Sequence, residues 1–202
     1  MEKLFVNIRK AEPADIGGIA SIYEQAVLLG TASFEVTPPS EEEMLSRMQA
    51  IEAGHYPYLV AELEHQILGF AYAGQYRPRK AYRYTVEDSI YVHPECSRLG
   101  VGTQLLTSLI AECDLRGFRE MIAVIGDSEN TASIKLHEHC GFRHVGVLKN
   151  VGYKFDRWLD SVLMQASTRG RIPIVLHSFI CASLIILRST VHCIAAGERS
   201  LH

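Results

Sequence analysis

Glu87 is the first residue whose type and position predict chemistry. It lies within a predicted strand, Thr85–Val92, where a period of two places it on one face with Ser89 and Tyr91. A carboxylate held there can act as a general base that takes a proton from a nucleophile. The alternative is a solvated strand carboxylate next to Asp88, and the residues alone favour that alternative.

A glycine pair shortly after this strand predicts an anion site. Gly100 and Gly102 open an apolar periodic segment, 100–116, which we predict to be a helix. The first N–H groups of a helix have no partner within it and bind phosphates, and Arg98 adds charge. A tight strand-to-helix turn explains the glycines equally well. The segment is not a dinucleotide fingerprint, because Leu105 replaces the third glycine, and it is not a P-loop.

Two other groups of polar residues are candidates for binding. Asn130, Ser133 and His137 have the i, i+3, i+7 spacing of one helix face, although a surface histidine is a simpler explanation for His137. The second group is a basic, aromatic segment, where guanidinium groups would bind carboxylates. Charged loops of this kind are more often only solvated. Its members are Arg77, Arg79, Tyr82 and Arg83.

A mixed α/β domain over residues 1–166 is predicted to position these residues. Alternating or apolar segments predict strands at 4–10, 58–63, 67–74, 85–92, 121–125, 142–148 and 159–164. Helical periodicity predicts helices at 16–29, 41–53, 100–116 and 131–140. Asp15 is the expected cap of the first helix, and Ser40 with Glu43 matches a capping box before the second. The order implies one sheet with helices on both faces.

Composition and charge exclude several classes of protein. The chain has 202 residues, 48% hydrophobic, with a net charge of −3, so neither disorder nor nucleic-acid binding is indicated. Five cysteines without a C-x-x-C pair, and scattered histidines, argue against a disulfide framework and a metal site. The first residues lack a signal-peptide pattern, and the expected compartment is the cytoplasm.

Residues 167–202 differ from the domain in composition, and we interpret them as a C-terminal extension. They contain four arginines and one glutamate, a net of +3. The apolar segment 172–187 is shorter than the ~20 residues of a membrane span and contains Pro173. We therefore favour an extension of unknown role over a membrane anchor.

Seven short stretches run in order through most of the domain: TASF (31–34), AYAG (71–74), AYR (81–83), TVE (85–87), YVHP (91–94), AVIG (123–126) and HE (137–138) ahead of GF (141–142). In order and spacing they resemble the GNAT family of N-acetyltransferases, and within it the phosphinothricin and methionine sulfoximine acetyltransferases. The family's pyrophosphate signature is Q/R-x-x-G-x-G/A at the strand-to-helix junction. Here Ser97 occupies its first position, and Arg98 is expected to supply the lost contact.

The resemblance implies a fold, a co-substrate and a set of roles. The fold is a central mixed, mostly antiparallel sheet with helices on both faces, and the co-substrate is acetyl-CoA, with no metal. Glu87 matches the general base, His137 matches a histidine proposed for proton transfer, and an amide near Tyr91 or Val92 would stabilise the oxyanion. The expected cofactor-binding residues are Ile90, Tyr91, Val92, Arg98, Leu99, Gly100, Val101, Gly102, Thr103, Asn130 and Ser133.

The implied acceptor is a small L-amino acid with a tetrahedral polar side chain, such as phosphinothricin, methionine sulfoximine or methionine sulfone. The residues expected to bind it are Phe34, Arg77, Arg79, Tyr82, Arg83, Thr85 and Val86. The family also implies a homodimer. Two alternatives stay open: an acetyltransferase for another amine, such as a protein N-terminus, and a CoA-binding module without turnover.

Overall fold

The computed structural model describes residues 5–170, which form one seven-stranded sheet with helices on both faces. The strands are β1 (Asn7–Lys10), β2 (Tyr58–Leu63), β3 (Gln66–Gln75), β4 (Thr85–Val92), β5 (Glu120–Gly126), β6 (Arg143–Lys154) and β7 (Arg157–Ser167). The helices are α1 (Ile16–Leu29), α2 (Glu41–Ala53), α3 (Val101–Leu115) and α4 (Thr131–His139). The predicted fold class is confirmed.

The sheet is antiparallel except at its centre. Its strand order is β1-β2-β3-β4-β5-β7-β6, and only β4 and β5 run parallel. The intervening α3 provides the crossover connection that a parallel pair requires. This places the glycines at the start of α3 directly after β4, at the centre of the sheet.

Two apolar clusters cover the two faces of the sheet. One packs α3 onto the central strands, with Leu105, Leu106 and Leu109 completely buried, as their periodicity predicts. The other packs α1 and α2 onto β2 and β3 around Phe70 and Met48. Residues on alternate sides of β4 therefore face different cores, which separates the side chains of successive residues by the thickness of the sheet.

The predicted helix starts are confirmed in position but not in every contact. Ser40 caps α2 by accepting a hydrogen bond from the Glu43 backbone N–H, whereas the Glu43 carboxylate binds Arg47 instead of completing the box. The Asp15 side chain makes no cap bond to α1. It accepts from the Glu12 N–H and from the Arg9 guanidinium, which holds the pKa of Asp15 below its usual value.

Two strand predictions differ from the structure. The continuously apolar segment 121–125 is typical of a strand buried on both faces, yet Val124 is 41% exposed. The late hairpin is also longer than predicted, because β6 continues to Lys154 through residues that alternate poorly. Both differences lie where β5 and β6 border an open cavity and the sheet edge.

The C-terminal boundary lies close to the predicted one. Strand β7 ends at Ser167, and Thr168 is buried, with its hydroxyl donating to the Phe118 carbonyl. Residues 171–202, including the apolar segment 172–187, lie outside the described residues, so the extension stays a prediction. Within 5–170, none of the helices has the length and apolar character needed to cross a membrane.

Candidate active site

A gap opens at the centre of the sheet where β4 and β5 separate. Their pairing ends at Asp88 and Ala123, after which β5 continues with β7 alone. The His93 N–H donates to the Leu68 carbonyl, and antiparallel ladders alternate, so Tyr91 also bonds to β3. The backbone groups of Ile90 and Val92 therefore point into the gap.

This alternation sharpens the expected oxyanion contact. An N–H that already donates to a neighbouring strand is not available to a reacting carbonyl. Of the two candidates, the Tyr91 N–H faces β3, whereas the Val92 N–H faces the open side. Val92 is thus the better placed donor, and the exposed β4 edge can pair with an extended ligand as an added strand would.

A cleft of about 980 Å³ extends from this gap along the starts of α3 and α4. Nine of the eleven predicted cofactor-binding residues line it: Ile90, Tyr91, Val92, Arg98, Gly100, Gly102, Thr103, Asn130 and Ser133. Leu99 and Val101 do not. The Val101 side chain is completely buried in the core, which leaves its backbone N–H as the group available to a ligand.

The start of α3 has the geometry of an anion site. Gly100 has φ +84°, a left-handed conformation that favours glycine, and no side chain caps the helix. The first intrahelical bond runs from the Gln104 N–H to the Gly100 carbonyl, so the N–H groups of residues 101–103 have no partner within the helix. A Cβ on Gly102 would lie 3.1 Å from Leu136 Cδ2. Because glycine has no side chain, the cleft stays open at this position.

A second, smaller cavity of about 250 Å³ adjoins the cleft. The two share Ala32, Ile90, Tyr91, Asn130 and Ser133 in their walls. Glu87 lies in the smaller cavity, half-buried. Burial and the neighbouring charge of Asp88 raise the pKa of Glu87, and the positive charge of Arg77 opposes them. A carboxylate with a raised pKa beside a gap has the properties of a general base.

Phe34 forms one wall of the smaller cavity, and its contact with a substrate stays a prediction. Its ring occupies the space next to two glycines on different strands. A Cβ on Gly152 of β6 would lie 2.3 Å from Phe34 Cε2, and one on Gly126 of β5 would lie 2.8 Å from Cε1. The two glycines thus form a seat that fits the ring only because they lack side chains.

His137 and Asp88 form a buried pair behind the cavity. The His137 Nε2 lies 3.0 Å from Asp88 Oδ2, and Nδ1 lies 2.8 Å from the Ser133 carbonyl oxygen. Both side chains are 2% exposed. Burial of the ring opposes its charge, but the hydrogen bond and charge of Asp88 outweigh burial and raise the pKa of His137.

Because both nitrogens of His137 face oxygen acceptors, the pair holds a proton between ring and carboxylate. The other Asp88 oxygen, Oδ1, is buried and has no hydrogen-bond partner among residues 5–170. His137 therefore lines the cavity as a member of a pair and not as a free acid. Its part in proton transfer stays a prediction.

The basic segment lies outside the walls of both cavities. Arg77 and Arg83 are exposed and stack on neighbouring tyrosines, at 5.1 Å from the Tyr76 ring centroid and 4.4 Å from that of Tyr84. Arg79 and Tyr82 are also exposed, and Thr85 does not line the smaller cavity. The substrate-binding roles of Arg77, Arg79, Tyr82, Arg83 and Thr85 stay predictions.

Val86 corrects one substrate-binding prediction. Its side chain is completely buried in the apolar cluster under α3, because a period of two turns it away from the Glu87 face. It cannot contact a substrate through that side chain.

Sequence reasoning missed several residues that shape the site. Asp88 was taken as a neighbour of Glu87, although the neighbours of a strand residue point to the opposite face, which was a usable signal. The glycine seat and a buried lysine of β6 gave no local signal. Within 5–170, no three acidic, histidine or cysteine side chains are grouped to hold a metal ion.

The sheet separates beside an uncapped helix start, with a carboxylate in an adjoining cavity, and this is the arrangement that the resemblance to the acetyl-CoA-dependent acyltransferases implies. The acetyltransferase (GNAT) domain model matches residues 8–163. In sequence, the chain is 51% identical over 158 residues to the phosphinothricin N-acetyltransferase of Alcaligenes faecalis, covering 78% of this chain and 80% of that one.

Two further relatives agree. The L-methionine sulfoximine/L-methionine sulfone acetyltransferase of Salmonella typhimurium is 39% identical over 160 residues, covering 79% of this chain and 93% of the relative. The crystal structure of a phosphinothricin acetyltransferase from Sinorhizobium meliloti, in complex with acetyl-CoA, has a TM-score of 0.78 at 45% identity. The alignment covers 81% of this chain and 89% of that one. This protein belongs to the GNAT family of acetyltransferases.

Proposed function

We propose that this enzyme transfers the acetyl group of acetyl-CoA to the α-amine of a small amino acid such as phosphinothricin, methionine sulfoximine or methionine sulfone. The observation that carries the proposal is the half-buried Glu87 in a small cavity that opens onto the gap beside β4. The likeness to relatives with these activities gives the acceptor class.

The transfer proceeds directly within a ternary complex. Glu87 takes one proton from the acceptor ammonium, and the amine lone pair attacks the thioester carbon. The oxyanion that forms accepts a hydrogen bond from the Val92 N–H, the kind of contact that is worth roughly 10²–10³ in rate. Its collapse breaks the carbon–sulfur bond and forms the amide. The nitrogen releases its second proton in this step, and the CoA thiolate takes up that proton to leave as the thiol.

The raised pKa of Glu87 suits this role. A base whose pKa lies closer to the working pH takes a proton more readily from an ammonium group. Asp88, one residue away, points to the other face and is neutralised by His137. Of the two carboxylates, Glu87 is therefore placed to act in the reaction, whereas Asp88 holds His137 in position.

The size of the smaller cavity favours a small acceptor over a protein N-terminus. About 250 Å³ is slightly smaller than typical ligand pockets, which measure ~300–1,000 Å³. A free amino acid with a compact polar side chain fits such a space. The exposed arginines near Glu87 would attract an anionic acceptor, and their charge argues against a polycationic aminoglycoside.

We also propose that the enzyme is a homodimer that works in the cytoplasm. Seven large apolar side chains of β6, β7 and their connecting turn are 42–62% exposed: Val145, Val147, Leu148, Val151, Tyr153, Phe155 and Trp158. Because β6 is an edge strand, a second copy can cover this surface. Analytical ultracentrifugation should give twice the mass of one chain, and a monomer at micromolar concentration would contradict the dimer.

The proposed activity is tested by following release of CoA thiol from acetyl-CoA. The acceptor panel contains phosphinothricin, methionine sulfoximine, methionine sulfone, ordinary amino acids, an aminoglycoside and a peptide. We expect release with the three tetrahedral analogues above all others. Release with the peptide alone would replace the proposal by N-terminal acetylation, and binding of acetyl-CoA without release to any amine would indicate a non-catalytic module.

A further inference from the structure

Lys154, at the end of β6, is a buried lysine that the proposed reaction does not use. It is 4% exposed, and its Nζ donates to the backbone carbonyls of Ser33 at 2.7 Å and Gly30 at 2.9 Å. The ammonium also lies 5.0 Å from the centroid of the Phe155 ring. All three contacts use the charge or the donors of the lysine.

Such a placement is costly and therefore informative. An ammonium group loses its hydration when it is buried, and burial lowers the pKa of Lys154. Among residues 5–170, no carboxylate forms a salt bridge with it. A methionine would fill the same volume without this cost. The lysine is therefore explained by the two hydrogen bonds that its ammonium donates to the Ser33 and Gly30 carbonyls.

These two hydrogen bonds from the Lys154 ammonium hold the backbone segment that carries Phe34. Ser33 precedes Phe34 directly, and Gly30 ends α1 at the other end of the same turn. The Tyr23 and Ser33 hydroxyls, 3.0 Å apart, fasten the segment from the α1 side. On the β6 side, Lys154 lies two residues beyond Gly152, whose missing side chain accommodates the Phe34 ring. One end of β6 thus supplies both the seat of the ring and the clamp on its backbone.

We propose that Lys154 is a positioning residue that fixes the Phe34 wall of the acceptor cavity and so sets the selectivity for the acceptor amino acid. The proposal rests on the proposed function for the identity of the acceptor. Lys154 does not itself touch the reacting atoms. Its loss should therefore loosen this wall, and with it the Gly30 edge of the acetyl-CoA cleft, while leaving Glu87 and the α3 side of the cleft unchanged.

Steady-state kinetics of Lys154→Met provide the first test. We expect the KM for the best amino-acid acceptor to rise about tenfold, because a misplaced wall weakens the productive pose. The KM for acetyl-CoA should change much less, because only Gly30 and Ala32 of this segment line the cleft. The matched control is Lys149→Met on the same strand, whose ammonium is exposed and pairs with Asp160. Equal acceptor KM values for Lys154→Met and wild type would overturn the proposal.

A double-mutant cycle separates positioning from general destabilisation. Phe34→Ala removes the wall itself, so adding Lys154→Met to it should change the acceptor KM by less than twofold if Lys154 acts through Phe34. Additive effects of the two substitutions would show that Lys154 acts elsewhere and would also overturn the proposal.

Hydrogen exchange gives a readout that does not depend on turnover. In folded Lys154→Met protein, amides of residues 30–36 should exchange at least tenfold faster than in wild type, with those of α3 unchanged. If wild type acetylates no amino acid, the proposed function fails and exchange alone decides the role of Lys154. Unchanged exchange at 30–36 would refute the clamp even if the acceptor activity is confirmed.

Discussion

The acetyl-CoA cleft and the acceptor cavity adjoin, but they are built in different ways. Much of the cleft comes from consecutive residues, the end of β4 and the start of α3, whose backbone groups we propose as the ligands of acetyl-CoA. The acceptor cavity combines the Phe34 segment, the ends of β4 and β5, and α4, and Gly152 of β6 seats its Phe34 wall. A local backbone motif fixes the first site, whereas long-range side-chain contacts fix the second.

This difference predicts how each site responds to substitution. A site made of backbone groups tolerates changes in side chains that point away from it, but not changes in chain conformation. A site made of distant side chains can be altered one wall at a time. Substitutions in the two sites should therefore separate binding of acetyl-CoA from selection and activation of the acceptor.

The largest effect is expected from Glu87→Gln, which should separate the two sites completely. Loss of the base should lower kcat by roughly 10²–10⁴, while the Kd for acetyl-CoA, measured by calorimetry, stays the same. In wild type, kcat/KM should fall as the pH drops through the pKa of Glu87, which lies above 4.5, and the variant should lose this limb. Glu24→Gln on the exposed side of α1 is the control. An unchanged kcat would remove Glu87 from the mechanism.

Asp88→Asn should test how much the buried Asp88–His137 pair stabilises the fold. We expect a loss of about 1–3 kcal/mol in the free energy of unfolding, because buried His137 loses its counter-charge. The raised pKa of His137 in the folded state means that this stabilisation is full below pH ~6.5 and fades as the pH rises through that pKa. Urea unfolding at several pH values measures it.

A gap between wild type and Asp88→Asn that widens at high pH would contradict the charged pair. His137→Gln provides the complementary control, since it removes the titrating group and should abolish the pH dependence of the difference.

Two glycine substitutions should each raise a different one of the two KM values. Gly152→Ala places a Cβ against Phe34, so the KM for the acceptor should rise about tenfold with no change for acetyl-CoA. Gly102→Ala places a Cβ at the cleft, 3.1 Å from Leu136, and should weaken acetyl-CoA binding instead. Gly146→Ala, on β6 with open space around it, is the control. Parallel changes in both KM values would mean that the sites are not separable.

The smallest effect is expected at Ser97, where the family signature has Gln or Arg. Ser97 is exposed and lines the cleft, so Ser97→Arg should lower the Kd for acetyl-CoA by about threefold through one added charge-assisted contact. The acceptor KM should not change. Ser46→Arg on exposed α2 adds the same charge elsewhere, and equal affinities for the two variants would show that Arg98 already satisfies the phosphate.

The contrast between the sites also explains what could be predicted from the sequence. The strands and helices, the Gly100–Gly102 helix start and the Glu87 strand were predicted correctly because each depends on neighbouring residues. The His137–Asp88 pair and the Lys154 contact to Ser33 join residues 49 and 121 positions apart. No spacing rule predicts such contacts, because they depend on how the finished sheet is packed.

The partly exposed side chain of Val124 illustrates the same limit of sequence-based prediction. Its apolar neighbours predict burial, but the separation of β4 from β5 leaves this face of the strand next to a cavity. Local hydrophobicity indicates that a strand belongs in the sheet, and it does not indicate where the sheet opens.

The opening between β4 and β5 also links the survival of the protein to the supply of its co-substrate. Without acetyl-CoA, the inner edge of β4 presents unpaired backbone groups at the centre of the sheet. A ligand at 100 times its Kd adds about 2.7 kcal/mol to the free energy of unfolding. When acetyl-CoA is abundant, its binding should therefore lower the rate at which proteases degrade the enzyme. When acetyl-CoA is depleted, the lifetime of the enzyme should shorten.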